Sequence, residues 1–288
     1  MEKRALHIIG APFGWGAKRH EAALGPSVLE KKSLPASWKM LTPSIPYDPS
    51  VTLNFEERLR DVIRFDTHLA QVVKQFKQEA QFPIVVGGDH SIAIGTWSGM
   101  VSGLEAQGQF GLIWLDAHMD SHTIETTPSQ AIHGMPLAAL LGYGDENLTN
   151  ILEKVPKLDP RHVVIIGVRS FEKEESALLE RLKVKVFHMD EVKEKGFARV
   201  FAQALDIVTL GTKGFGISID MDAFDPRFAP GTGTPVPDGL NPSDVIPCLK
   251  ELISNPYFQG LEIVEIDPTR DVDDKTIDLV QEIILSMQ

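Results

Sequence analysis

Cysteine is almost absent: the 288-residue chain has one, Cys248. A single thiol excludes an internal disulfide framework and fits a reducing compartment. No activating motif surrounds it, so it reads as a structural thiol rather than a nucleophile. Basic side chains are also scarce, with 28 Lys and Arg against 40 Asp and Glu and a formal charge of −12. No basic stripe appears, which argues against nucleic acid as a partner. The acidic balance is compatible with a cationic substrate, although much of it can serve solubility alone. No apolar run reaches signal-peptide or transmembrane length, so the expectation is a cytoplasmic protein with no membrane contact.

One local absence matters more than these. No Lys or Arg occurs from Gln78 to Glu153, yet this stretch holds Gly87-Gly88-Asp89-His90-Ser91 and Asp116-Ala117-His118-Met119-Asp120. A third acidic motif, Asp220-Met221-Asp222, lies further on. Each follows an apolar run that reads as a buried strand, at 82–86, 110–115 and 215–219. Carboxylates at the ends of buried strands are costly unless positive charge meets them. With no basic side chain nearby in sequence, divalent cations are the remaining partner.

Short apolar runs alternate with stretches of helical periodicity, the pattern of a parallel sheet flanked by helices. Strands are expected at 6–9, 82–86, 110–115, 162–168, 184–188, 214–219 and 260–266, with a short eighth near 44–47. Leu59, Val62, Ile63, Leu69, Val72, Val73 and Phe76 repeat at helical spacing between residues 55 and 76. Further helices are expected at 91–106, 173–182, 194–209, 242–254 and 273–286, the last opened by Asp271, Asp273 and Asp274. Nothing resembles a linker, so residues 1–288 read as one domain. The segments 35–50, 116–136 and 226–242 read as long ordered loops of the kind that usually carry function. In open α/β sheets ligands collect at the carboxyl ends of the strands, where all three motifs fall.

In an extended segment side chains at i, i+2 and i+4 point the same way. Asp116, His118 and Asp120 therefore converge, as do Asp220 and Asp222, and His90 completes six candidate ligands. A lone Asp-x-Asp is more often a cap; it is the matched placement of three motifs that favours metal. Six donors exceed one tetrahedral zinc site but suit two ions sharing bridging carboxylates. Four carboxylates, two imidazoles and no thiolate favour Mn2+, with Co2+, Ni2+ and Fe2+ also compatible.

These motifs, together with Ile132-His133-Gly134-Met135-Pro136 and the run from Ser218 to Pro226, resemble the ureohydrolases: arginase, agmatinase, formiminoglutamase and relatives. The resemblance spans Leu24-Gly25-Pro26 to Glu265-Ile266-Asp267-Pro268 and lies nearest the bacterial arginases. It implies a three-layer α/β/α fold around a mainly parallel eight-stranded sheet, two Mn2+ ions, and a trimeric or hexameric homo-oligomer. His90, Asp116, Asp120 and Asp220 would hold one ion. Asp116, His118, Asp220 and Asp222 would hold the other, and the pair would activate water at neutral pH. By the same resemblance Glu265 orients the guanidinium of the substrate, His133 relays a proton to the departing amine, and Thr234 lines the pocket. The implied reaction is hydrolysis of a guanidino C–N bond to urea and an amine. L-arginine is the leading substrate and agmatine or a guanidino acid the alternative; a non-catalytic metal-holding homologue is the rival from another class.

The likeness weakens at the substrate's far end. His122 stands where arginases carry asparagine, and Gln130-Ala131 replaces Gly-Asn, while Thr127 and Ser129 match. Glu172 and Glu175 match positions that receive the α-amino group, Glu172 being one methylene longer than the usual Asp. Both also suit a helix start. His122 is left with four readings: a substitute grip on the substrate carboxylate, a cap for a different substrate, an added metal ligand, or an idle surface side chain.

Overall fold

The computed structural model describes residues 5–104, 109–153 and 156–288. Eight strands form one sheet: β1 (Leu6–Ala11), β2 (Ala36–Met40), β3 (Pro83–Gly87), β4 (Phe110–Leu115), β5 (Val163–Val168), β6 (Lys185–His188), β7 (Gly214–Asp220) and β8 (Phe258–Val264). Their order is β2-β1-β3-β8-β7-β4-β5-β6. Every pairing among them is parallel. The carboxyl ends therefore share one edge, and β3, β8, β7 and β4 stand side by side at its centre.

The middle strands β3, β4, β5 and β7 are buried at every residue, which explains why they read as unbroken apolar runs rather than alternations. Alternate side chains feed two cores. Ile84, Ile113, Ile166, Ile217 and Ile263 pack with the helices Phe197–Thr209, Pro242–Glu251 and Lys275–Leu285. On the other face Val85, Leu112, Trp114 and Ile165 pack with Phe55–Gln78 and Ala93–Val101. This is the expected three-layer α/β/α arrangement. The longest helix, Phe55–Gln78, opens with a capping box in which the Asn54 side chain accepts from the Glu57 N–H and the Glu57 side chain accepts from the Asn54 N–H.

Several expectations need correction. The eighth strand is Ala36–Met40, not 44–47; the latter is flanked by Pro43 and holds Pro46, neither of which can donate to a sheet ladder. Segment 35–50 is accordingly not all loop. The helix expected at 194–209 is two, Met189–Lys195 and Phe197–Thr209, broken at Gly196, whose φ of +81° leaves the helical region. The helix expected at 91–106 runs Ala93–Val101 after a 3₁₀ turn at His90–Ile92; residues 105–106 lie outside the described residues. At the last helix Asp273 and Asp274 take positive φ, and it is Asp271 that accepts from the Thr276 and Ile277 N–H groups. No helix among the described residues is long and apolar enough to cross a membrane.

Two backbone contacts bring the motifs to the sheet edge. The Asp89 N–H donates to the Phe13 carbonyl at 2.9 Å, and the Glu265 N–H donates to the Gly88 carbonyl at 2.7 Å. A Cβ on Gly88 would lie 1.6 Å from the Phe13 oxygen. Because backbone rather than a flexible side chain stands in the way, Gly88→Ala is expected to cost about 3 kcal/mol. Chemical denaturation measures this; an unchanged midpoint would show that the segment has slack.

Candidate metal centre and substrate cavity

Asp89 does not face the acidic cluster. It is buried and accepts from the Gly16 and Ala17 N–H groups and from Ser91, tying the N-terminal loop to the end of β3. His90, next along, is turned inward. Its Nδ1 lies 3.4 Å from Asp116 Oδ2, 3.0 Å from Asp120 Oδ2 and 3.2 Å from Asp220 Oδ2. The ring stacks on Trp114 at 4.1 Å, and the Trp114 indole donates to Asp116 Oδ2 at 2.8 Å.

On the far side of the ring, His90 Nε2 lies 2.9 Å from Ser218 Oγ, and that hydroxyl donates to Glu262 at 2.6 Å. Ser218 therefore accepts from His90 Nε2–H, which leaves an Nδ1 lone pair facing three carboxylate oxygens. A lone pair and three acids converge favourably only around positive charge, and this supporting layer resembles those that orient metal-bound histidines. His118 is arranged in parallel, its Nδ1 3.0 Å from Asp222 Oδ2 and 3.4 Å from Asp116 Oδ1.

Two overlapping donor groups result, His90–Asp116–Asp220 and Asp116–His118–Asp222. Asp116 belongs to both, while Asp120 joins through His90. Among the described residues no Lys or Arg forms an ion pair with these four aspartates. Arg169 lies close by, but its guanidinium donates to the carbonyls of Gly167, Asp222, Ala223, Phe224, Val236 and Pro237. With only protons to balance them, the acids distort one another's ionisation. Burial and the Asp116 charge push Asp120 up to about 6. Burial disfavours charge on the His118 ring, yet Asp222 and Asp116 hold it far above the usual imidazole range. Residues of this kind and burial fit a pair of divalent cations.

Glu265 and His133 meet beside this cluster. Glu265 follows β8 with φ of +61°, a strained conformation of the kind that collects at functional sites. Its Oε1 accepts from the His90 N–H at 2.9 Å and pairs with His133 Nδ1 at 2.9 Å. Oε2 has no hydrogen-bond partner among the described residues. Gly233 opens the space before it, since a Cβ there would sit 3.4 Å from that oxygen. Burial opposes the positive charge of His133, but Glu265 outweighs it and holds the imidazole up to about 9.

A cavity of about 200 Å³ runs from His118, Asp120 and Asp220 past His133 and Thr234 to Thr127, Ser129, His122, Glu172 and Glu175. Of the expected substrate-end residues, His122, Thr127, Ser129, Ala131, Glu172, Glu175 and Thr234 line this cavity and Gln130 does not. Thr234 also donates to Asp222 Oδ2 at 2.9 Å. Thr127 Oγ1 accepts from the Ser129 and Gln130 N–H groups and fixes the loop. Burial pushes the Glu175 carboxyl up to about 8.

Comparison with known proteins matches residues 4–288 to the model of the arginase family. The chain belongs to the arginase family. It is 39% identical to an arginase of Brevibacillus brevis over 280 residues, covering 94% of this chain and 93% of that one. The crystal structure of Bacillus caldovelox arginase superposes with a TM-score of 0.90 at 35% identity, covering 99% and 98% of the two chains. The Entamoeba histolytica arginase, solved with L-ornithine, gives 0.88 at 27% identity, covering 100% and 99%.

Within this family frame two sequence expectations fail. Gln130 does not line the cavity: it is exposed, with φ of +55°, and Arg58 holds its carbonyl. His122 is no idle surface side chain, being 6% exposed. Its partners are Glu172 and Thr126 rather than the aspartate cluster, so it is not placed as an added ligand to that cluster. Sequence reading also missed Ser218, Glu262 and Trp114. Ser218 lies two residues before Asp220 on β7, hence on the same face, and Glu262 is an acid inside an apolar strand; both signals were available.

Cations bound at a Kd one-hundredth of their free concentration stabilise a fold by about 2.7 kcal/mol each. Chelation is therefore expected to lower Tm by several degrees, and excess Mn2+ to restore it. Acid competes for the same donors, so the metal-dependent increment should shrink as pH falls through about 6, where Asp120 takes a proton. A Tm indifferent to chelator and metal would remove the centre.

Proposed function

We propose that this chain hydrolyses L-arginine to L-ornithine and urea, using two Mn2+ ions held by His90, Asp116, Asp120, Asp220 and by Asp116, His118, Asp220, Asp222. The observation that carries this reading is the convergence of Glu265 and His133 beside the aspartate–imidazole cluster, where both line a cavity with Gly233 and Thr234. The arginase relatives, aligned over nearly the whole chain, support it.

Bound cations of this class supply Lewis acidity and a water of lowered pKa at neutral pH. The remaining work falls to this chain's own residues. Glu265 is kept ionised: burial opposes this, but the His133 charge lowers its pKa. A buried carboxylate with a free oxygen orients a guanidinium, which stays protonated at any physiological pH. Expulsion of the amine needs a proton, and His133 holds one below about 9. The carboxylate–hydroxyl wall at Glu172, Glu175, Thr127 and Ser129 receives the opposite end of the substrate. A trimeric or hexameric homo-oligomer in the cytoplasm completes the proposal, on the strength of the family likeness.

Urea release from L-arginine, with agmatine alongside, tests the reading; metal-loaded protein inert toward both would refute it. His133→Ala is expected to lower kcat about 10²–10⁴-fold while leaving the metal content unchanged. The sign of the pH effect follows from the donor role. Activity should be retained below the His133 pKa and lost as pH rises through it, at or below about 9 because bound cations disfavour the protonated ring. An alkaline limb that survives in His133→Ala would assign it to another group.

A further inference from the structure

The far wall of the cavity carries a hydrogen-bond chain that its neighbours in sequence did not announce. The Thr123 N–H donates to Thr126 Oγ1 at 2.8 Å, and Thr126 Oγ1 lies 3.2 Å from His122 Nδ1. Across the ring, His122 Nε2 lies 3.2 Å from Glu172 Oε2. An ionised carboxylate only accepts, so Nε2 carries the proton, and in the neutral ring Nδ1 accepts from the Thr126 hydroxyl. The imidazole is buried, whereas the Glu172 side chain is 56% exposed. A buried, doubly engaged ring thus holds one oxygen of a largely exposed carboxylate.

Glu172 starts the helix Lys173–Leu182, and its backbone N–H is held by Glu175 at 3.0 Å. Glu175 meets both the backbone and the side chain of Glu172 in a capping box, His122 adds the contact to Oε2, and the Glu172 side chain lines the same cavity as the metal-facing aspartates. No Lys or Arg lines that cavity among the described residues, so an ionised carboxylate on its wall meets no resident ammonium or guanidinium there. His122, Glu172 and Glu175 also lie close enough to hold an ion, but their polar atoms are already spent on one another and on Ser121 and Thr126.

We propose that His122 is a positioning residue, holding the Glu172 carboxylate over the far end of the cavity to receive a second cationic group on the substrate, at the end opposite the guanidinium. The proposal rests on the guanidine-hydrolase reading for its substrate and sharpens that reading into a specificity. A tethered carboxylate loses little rotamer freedom on meeting the substrate, whereas an untethered glutamate must be ordered first. The effect therefore belongs in KM rather than kcat.

The test compares the parent with His122→Ala and His122→Gln, whose amide can again present an N–H to Glu172. Two substrates serve: L-arginine, and 5-guanidinopentanoate, which keeps the chain and carboxylate but lacks the amino group. His122→Ala is expected to raise KM for L-arginine about 10-fold, the scale of a lost hydrogen bond to a charged group. Its kcat should stay within about 2-fold, 5-guanidinopentanoate should be nearly unaffected, and His122→Gln should recover most of the loss. Equal losses on both substrates, a fall confined to kcat, or no loss at all would overturn the proposal. Calorimetric binding of L-ornithine against 5-aminopentanoate to the metal-loaded protein makes the same comparison without turnover. A parent that releases no urea yet binds L-ornithine preferentially, and loses that preference in His122→Ala, would sink the arginase reading alone. A parent that binds the two equally would sink the positioning role.

Discussion

Four buried aspartates, Asp116, Asp120, Asp220 and Asp222, face inward at the centre of the sheet edge with no Lys or Arg paired to them among the described residues. Every other feature of the site answers to that constraint. Burying several carboxylates together is far too costly to persist without compensation. The protein supplies part of it locally: the His118 N–H donates to Asp116, the Asp222 N–H to Asp220, and the Ala117 N–H to Asp222. These bonds orient the acids but do not neutralise them. The two imidazoles point their Nδ1 atoms at the same carboxylates, and the scaffold behind His90 keeps that atom turned inward. Charge balance then requires cations.

The parallel sheet is what makes such a concentration possible. Because β3, β8, β7 and β4 are neighbours with a common direction, the residues just past their ends meet although they are up to 177 positions apart, as Gly88 and Glu265 are. The strands contribute mainly apolar packing to both cores, with Ser218, Asp220 and Glu262 as the exceptions around His90. Most of the remaining chemistry lies in the first few residues beyond each strand, where the chain leaves regular hydrogen bonding. Positive φ at Asp120 and Glu265 marks how far the backbone bends to aim those carboxylates.

Most of this was legible in the sequence because buried parallel strands and acidic strand ends both leave strong local signals. The runs ending before Asp89, Asp116 and Asp220 needed no tertiary information to be read as strands. The edge strand Ala36–Met40 was not legible: only partly buried, it lacks an apolar run, and the proline-rich sequence around it suggests loop. The helix break at Gly196 was hidden because the amphipathic pattern continues across it. At the site, the inward-facing residues followed from two-residue spacing, but the support behind them did not. Ser218 and Glu262 each carry a local signal, but only the sheet places them together beside His90. His122 is the sharpest case, since its partners Thr126 and Glu172 come from a loop and a helix start that sequence alone does not bring together.

The most direct test of the account is metal stoichiometry by inductively coupled plasma mass spectrometry on the Mn2+-loaded parent, Asp116→Asn and Asp222→Asn. Asp116 belongs to both donor groups and Asp222 to one. The account predicts two ions per chain in the parent, near-complete loss in Asp116→Asn, and loss centred on one ion in Asp222→Asn. A parent that retains no metal, or an Asp116→Asn protein that keeps both ions, would contradict it.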